Sequence, residues 1–348
     1  MPQATDDRTT VLQQALEAWL AGAAGAPLTV AGLRPLVGGA SQEAWALDVE
    51  IAGGPEAGRH ALVLRRDMGG ALSSSVLPRD REFAVLRAMH AAGLPVPRPY
   101  WYTPDLLGDG RAAFLMQRVE GETIGRRIVQ DPRLADARRL LPGQMGAALA
   151  AIHAVDPAAR DLGFLRAPAP GQSAADATLD RLEADLRAVD EPHLALELGL
   201  RWLRARAPAP EPPVVIHGDY RVGNLVVGPE GLRYVLDWEN VHLSDPHADL
   251  AWACVRAWRF GVDDLPVGGV GEREPFYAAY ERAGGRAVDP ERVFYWEVLG
   301  NLQWAIGALG QARRHLTGQE PSIELASLGR ICAEMELELL NLIARTED

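Results

Sequence analysis

The stretch Val214-Val-Ile-His-Gly-Asp-Tyr-Arg-Val-Gly-Asn-Leu-Val-Val227, followed by Tyr234-Val-Leu-Asp-Trp-Glu239, decides how this chain is read. It sets Asp219, Asn224 and Asp237 in order between short β-branched runs. Phosphoryl transfer needs those parts in that order. One carboxylate takes the proton of an attacking hydroxyl, while an Asn and a second carboxylate hold Mg²⁺ on nucleotide phosphates. Val214 to Ile216 predict a short strand that delivers His217-Gly218-Asp219 into a loop. Asn224 opens a second strand, Leu225 to Val227, and Gly228-Pro-Glu-Gly231 predicts a turn because it pairs a fixed-φ residue with two permissive ones. Leu232 to Leu236 predict the return strand. A hairpin of that length brings Asn224 and Asp237 to the same end, where two hard oxygen ligands can share a metal. The bland alternative is an ordinary β-hairpin with polar ends.

With Asp245-Pro-His-Ala-Asp249-Leu added, these motifs resemble the aminoglycoside phosphotransferase and choline kinase group. Within it, Asp237-Trp-Glu239, Trp296-Glu-Val-Leu-Gly-Asn-Leu-Gln-Trp304 and Gln311-Ala-Arg-Arg-His-Leu316 are similar to the kinase-like domains that also occur fused to acyl-CoA dehydrogenases. The resemblance runs from about residue 28 to about 345. It implies an α+β, two-lobed protein-kinase-like fold with a small β-rich N-lobe and a larger helical C-lobe. The corresponding division is 1–115 for the N-lobe (N-terminal helix, β-sheet and one helix), 116–121 for a hinge, and 122–348 for the C-lobe with the catalytic hairpin.

The resemblance also assigns roles. Leu36-Val-Gly-Gly-Ala-Ser41 lies between two β-like runs and is placed like a phosphate-covering loop, with Gly38, Gly39 and Ser41 allowing close backbone approach. Arg65, at the end of Ala61-Leu-Val-Leu-Arg-Arg66, takes the place of the Lys that pairs with phosphates and with a helix Glu, here Glu82. A surface Arg and a solvated Glu are the alternative on spacing alone. The backbone near Gln117 to Val119 would hydrogen-bond adenine, against an internal strand with no ligand. Asp219 is the base, and Asn224 and Asp237 are metal ligands. Glu239 either joins a second Mg²⁺ or faces solvent from a strand end. His217 holds the loop, since the adjacent Asp already serves as base. Asp249 would steady the loop through its amides, and Asp245 with Pro246 fits an N-cap followed by a first-turn Pro. ATP, with GTP as an option, and Mg²⁺ are the implied cofactors.

Composition removes competing chemistries. All 35 basic residues are arginine, because the chain contains no lysine. A Walker P-loop and a Schiff-base lysine are therefore excluded. Arg can grip phosphate oxygens in a bidentate fork, but its geometry is not that of an ammonium point charge. Cys254 and Cys332 are isolated, which rules out a Cys₄ zinc site and a Cys-x-x-Cys pair and fits a reducing cytoplasm. No run of about eighteen apolar residues predicts a membrane span. The net charge of −12 argues against nonspecific nucleic-acid binding. Asp6, Asp7 and Arg8 precede a moderately apolar helix, Thr10 to Leu20, read as a helix and not a signal.

Helical periodicity is expected over Leu134–His153, Ala174–Arg206, Pro246–Phe260, Glu274–Ala283, Pro290–Leu316 and Ile323–Ala344. Val267-Gly-Gly-Val-Gly271 reads as a loop without a phosphate role. The acceptor is a small-molecule hydroxyl, with its selectivity set by 130–210 and 255–320. In or beside these segments, Trp252, Trp258, Tyr277, Tyr280, Tyr295, Trp296 and Trp304 suggest either an aromatic cage or core packing, and Arg313, Arg314 and His315 either an anion contact or helix-end cations. Three readings stay open: an ATP-dependent small-molecule phosphotransferase, a catalytically silent kinase-like binding module, and a protein kinase. Against the last, His-Gly-Asp replaces His-Arg-Asp, and no Asp-Phe-Gly or Ala-Pro-Glu follows.

Overall fold

The computed structural model describes residues 3–36, 42–67 and 76–346. The chain divides into two compact units, 1–120 and 121–348. The first contains α1 (Gln3–Ala24), β1 (Leu28–Pro35), β2 (Gln42–Ile51), β3 (Gly58–Asp67), α2 (Arg79–Ala91), β4 (Pro99–Thr103) and β5 (Ala113–Gln117). Its five strands form one antiparallel sheet in the order β1-β2-β3-β5-β4.

Both faces of that sheet are covered, and the alternation of side chains along a strand says by what. Leu12, Leu16 and Leu20 of α1 pack with Trp45, Leu47, Val49, Leu62, Leu64 and Leu115 on one face. Phe114, of opposite parity to Leu115, stacks with Phe83 of α2 at 5.5 Å between ring centroids. Arg65 pairs in register with Phe114, so it projects toward α2. Arg66 has the other parity and reaches Glu43, 3.0 Å away on β2.

The second unit holds α3 (Gly125–Gln130), α4 (Ala135–His153), α5 (Ala174–Val189), α6 (Leu194–Ala205), β6 (Val214–Ile216), β7 (Leu225–Gly228), β8 (Gly231–Val235), β9 (His242–Ser244), α7 (Pro246–Trp252), α8 (Arg273–Arg282), α9 (Pro290–Leu316), α10 (Ile323–Leu328) and α11 (Ile331–Ala344). β7 and β8 form the hairpin, while β6 pairs antiparallel with β9. The helices bury many apolar side chains, and α4 and α8 come close enough that a Cβ at Gly146 would meet the Phe276 carbonyl oxygen at 2.2 Å. Among the described residues, no helix is long and apolar enough to cross a membrane.

Several helices expected as continuous are broken, for local reasons. The run 174–206 is two helices. Asp190 takes the left-handed conformation (φ +60°), and Pro192 cannot continue the helix. The run 246–260 stops as α7 at Trp252, with a 3₁₀ turn at Arg256–Arg259. There the Arg259 guanidinium donates to the Cys254 carbonyl, 2.8 Å away, and satisfies an acceptor the helix leaves behind. The run 323–344 divides at Gly329, where a Cβ would approach the Ala312 methyl to 2.9 Å. The segment 267–271 is a tight turn closed by a β-bridge between Val267 and Gly271.

Candidate active site

β6 ends at Ile216, and the chain turns sharply at Gly218 (φ +79°) to present Asp219. Glycine is required there, because a Cβ would lie 2.4 Å from the Asn240 carbonyl oxygen. The turn is anchored from beneath by Asp249 of α7. Its carboxylate accepts from the His217 amide at 2.7 Å, from the Gly218 amide at 2.9 Å and from His153 Nε2 at 3.3 Å. Burial by itself would raise the Asp249 pKa, yet the hydrogen bonds from His153 and His217 hold it below the ordinary value. His153 Nδ1 is in turn 2.8 Å from the Tyr280 hydroxyl. A further tie comes from the buried Tyr220, whose hydroxyl donates to the Met145 carbonyl of α4 at 2.9 Å.

His217 is committed through both ring nitrogens. Nε2 lies 2.9 Å from the Leu236 carbonyl and must donate, so Nδ1 is left to accept from the Asp219 amide at 3.2 Å. Both bonds require the neutral ring protonated at Nε2. The side chain therefore braces the loop against the end of β8.

The Asp219 carboxylate collects three donors. Trp252 Nε1 donates at 2.7 Å and Arg221 Nε at 3.0 Å to Oδ1, and Asn224 Nδ2 donates at 2.6 Å to Oδ2. Asn224 Nδ2 also reaches the Asp219 carbonyl at 2.9 Å. With its amide nitrogen turned toward Asp219, Asn224 keeps Oδ1 as its acceptor. The Arg221 guanidinium lies over the Trp258 ring, 4.6 Å from its centroid, and Trp258 packs against Trp252 and Trp304. These tryptophans form core packing around the loop.

Asn224 closes a 3₁₀ turn (Val222–Asn224), and its carbonyl accepts from the Leu236 amide at 2.8 Å. The β7–β8 register, Leu225 with Val235, thus returns Asp237 beside Asn224. Asp237 is left-handed (φ +66°), a conformation that costs a non-glycine residue about 1–2 kcal/mol. Glu239 is not on a strand end. It sits buried in the 3₁₀ turn Trp238–Asn240, pinned by the Trp238 Nε1 bond to the Val235 carbonyl at 3.1 Å.

In the N-terminal unit, Arg65 NH1 meets Glu82 Oε1 at 2.9 Å. Arg79 contacts the other Glu82 oxygen and bonds Asp67 at 3.0 Å. Two guanidiniums and two carboxylates thus form a cluster of zero net charge in which Arg79 and Glu82 are almost wholly buried. Gln117 ends β5 and exchanges bonds with the Arg98 backbone, its amide donating at 2.8 Å and its Oε1 accepting at 3.3 Å. Val119 follows it, half-buried, outside any strand. Gly38, Gly39 and Ser41 lie outside the described residues.

Reading the sequence missed Arg79, Arg221, His153 and the contact of Trp252 with Asp219. Arg79 carried a local signal, its i,i+3 spacing to Glu82 on one helix. His153 and Trp252 carried none, being 96 and 33 residues from their partners. Arg313, Arg314 and His315 are taken up at the end of α9 by the Val189 carbonyl, Glu320 and the Ser322 amide.

Residues 32–295 match the model of the phosphotransferase enzyme family. Over 302 residues the chain is 30% identical to acyl-CoA dehydrogenase family member 11 of Gallus gallus, covering 81% of this chain and 38% of that protein. The chain therefore spans well under half of that relative's length. A Ralstonia eutropha crystal structure assigned to the aminoglycoside phosphotransferases superposes with a TM-score of 0.71 at 21% identity, covering 95% of this chain and 98% of that one. Spectinomycin phosphotransferase, crystallised with ADP and spectinomycin, gives 0.62 at 14% identity, covering 94% and 98%. The α+β protein-kinase-like fold is thereby shown.

Proposed function

We propose that this chain, which belongs to the phosphotransferase enzyme family, moves the γ-phosphate of Mg·ATP to a hydroxyl of a small molecule. The observation that carries the reading is the Asp219 carboxylate, fixed by Trp252, Arg221 and Asn224 on a loop that Asp249 anchors. Phosphoryl transfer passes through a loose transition state, so catalysis rests on positioning and charge more than on covalent chemistry by the protein. Asp219 would accept the hydrogen bond of the acceptor hydroxyl, aim its oxygen in line, and take the proton as the new P–O bond forms. His217 positions the loop and exchanges no proton.

The donor set fits a hard cation. Asn224 Oδ1 and the carboxylates of Asp237 and Glu239 are all oxygen ligands, which Mg²⁺ prefers over nitrogen or sulfur. Once bound, Mg²⁺ would neutralise charge on the nucleotide phosphates. Arg65, braced by Glu82, would supply a second cation to the phosphates as a guanidinium fork. Gly38, Gly39 and Ser41 would cover the phosphates, and the backbone at Gln117 and Val119 would take the adenine, with 116–121 as the hinge. The sharing of a fold with a phosphotransferase that binds ADP supports nucleotide use.

Calorimetric titration of ATP and GTP, with and without Mg²⁺, tests the reading, followed by a hydroxyl-acceptor screen with Mg·ATP. Metal-dependent binding followed by acceptor-dependent ADP release supports it. Failure of the folded protein to bind either nucleotide overturns it in favour of a silent kinase-like module.

A further inference from the structure

We infer that the acceptor carries an anionic group, a carboxylate or a phosphate, which docks between Arg166 and Arg181 in a cavity of the C-terminal unit. For the reaction this rests on the phosphotransferase reading above; for the cavity it stands on its own geometry. The cavity measures about 140 Å³ and is lined by Arg166, Thr178, Arg181, His242 and Ser244 among others, with no Asp or Glu among its lining residues. In a chain with 47 acidic and 35 basic residues, two arginines without a lining acid run against composition. The volume is well short of the roughly 300–1,000 Å³ that encloses a drug-sized molecule, so the cavity suits one group of a larger acceptor.

Neither guanidinium has a partner at charge-assisted distance among the described residues. The Arg166 side chain makes no hydrogen bond or ion pair to a described residue. Arg181 reaches Asp185 at 3.4 Å and Gln303 at 3.2 Å, against about 2.7–2.9 Å for a good N⁺–H···O⁻ bond. Burial lowers Arg181 from its ordinary pKa, and Arg166, although exposed as a residue, is lowered by partial desolvation of its guanidinium and then by repulsion from Arg181. His242 reports the same positive field: burial first, then repulsion from Arg166, lowers its pKa to about 4. An anion between the arginines would relieve that repulsion and complete both forks.

The cavity adjoins the loop that carries Asp219. A second cavity shares Thr178, Arg181, His242 and Ser244 and extends to Gly218, Asp249 and Trp252. Trp252 is the side chain bonded to Asp219. His242 pairs across the sheet with Ile216, three residues before Asp219. Three extended residues span at most about 10 Å, and a cross-strand step adds about 5 Å. The backbones of His242 and Asp219 therefore lie within roughly 15 Å of each other, a span that one acceptor molecule can bridge.

Anion binding needs no turnover, so it is tested first. Inorganic phosphate and, separately, malonate are titrated by calorimetry into the full chain and its Arg166→Gln and Arg181→Gln variants. The expected result is saturable binding of one of the two anions that each substitution weakens at least ten-fold, with Mg·ATP affinity unchanged. Phosphate binding without malonate assigns a phosphate-bearing acceptor, and the reverse a carboxylate-bearing one. If neither anion binds, or both variants bind like the intact chain, the inference is overturned, whatever Mg·ATP does. If anions bind and Mg·ATP does not, the phosphotransferase reading falls while the ligand class of the cavity stands. Arg166 is exposed, so its variant decides the matter even if Arg181→Gln, which loses the Gln303 contact, fails to fold.

Discussion

Replacing Gly218 by Ala puts the anchoring of the loop that carries Asp219 to a direct test. The residue has φ +79°, and its new methyl would sit 2.4 Å from the Asn240 carbonyl oxygen and 3.1 Å from the carbonyl carbon. Contacts below 3.0 Å essentially do not occur for Cβ atoms, so the two backbones must part by at least 0.6 Å. Neither can yield freely. The Gly218 amide is held by Asp249 at 2.9 Å, and Asn240 is two residues before a strand paired with β6. The left-handed backbone alone costs about 1–2 kcal/mol with a Cβ present, and relieving the clash brings the expected loss to about 2–4 kcal/mol. Urea unfolding of both proteins reads this as a lower midpoint at unchanged slope. Displacing Asp219 by a comparable distance should also cut turnover about 10²-fold. Gly163→Ala serves as the control, since its Cβ would meet nothing within 4 Å. A Gly218→Ala protein as stable as the Gly163→Ala protein would refute the argument that this turn is sterically fixed.

Asp219→Ala should spare Mg·ATP binding and remove turnover, and full turnover by that variant would end the assignment of the base. Asp237→Ala should weaken Mg²⁺-dependent nucleotide binding, measured by calorimetry; unchanged affinity removes Asp237 from the metal site. Asp245 tests acid stability. Burial works to raise its pKa, but bonds from His247 and Arg292 bring it down to about 2. A folded pKa below the unfolded value of 3.8 stabilises the protein above pH 3.8, and that contribution disappears as pH falls through about 2. Asp245→Asn should therefore cost about 2–3 kcal/mol at pH 7 and progressively less below pH 4, by urea melts across pH. An equal cost at every pH would show that the ionised form is not what matters.

What the sequence disclosed follows from how far each signal reaches. The hairpin was legible because Gly228-Pro-Glu-Gly231 is a local turn signal flanked by β-branched runs, and the β7–β8 pairing uses that turn. The 174–206 helix was overextended because its apolar spacing continues across Glu191-Pro192, where the proline outweighs periodicity. β9, three residues long, is too short for a pattern and exists because β6 offers it a partner. The candidate site divides in the same way. Asp219, Arg221 and Asn224 stand within six residues in one motif, whereas the remaining donor and the braces come from Trp252 on α7 and from Met145 and His153 on α4. Such contacts are products of packing, and no window of sequence contains them.

Because the cation against Glu82 is a guanidinium, and no lysine occurs anywhere in the chain, there is no side-chain amine to acylate. Reagents that tag ATP sites by transferring an acyl group to a nearby lysine would pass over this protein whether or not nucleotide is bound. Silence in such a labelling survey would thus reflect nucleophile chemistry and carry no information on occupancy. Arginine-directed dicarbonyl reagents are the suitable probe, with protection of Arg65 by nucleotide as their readout.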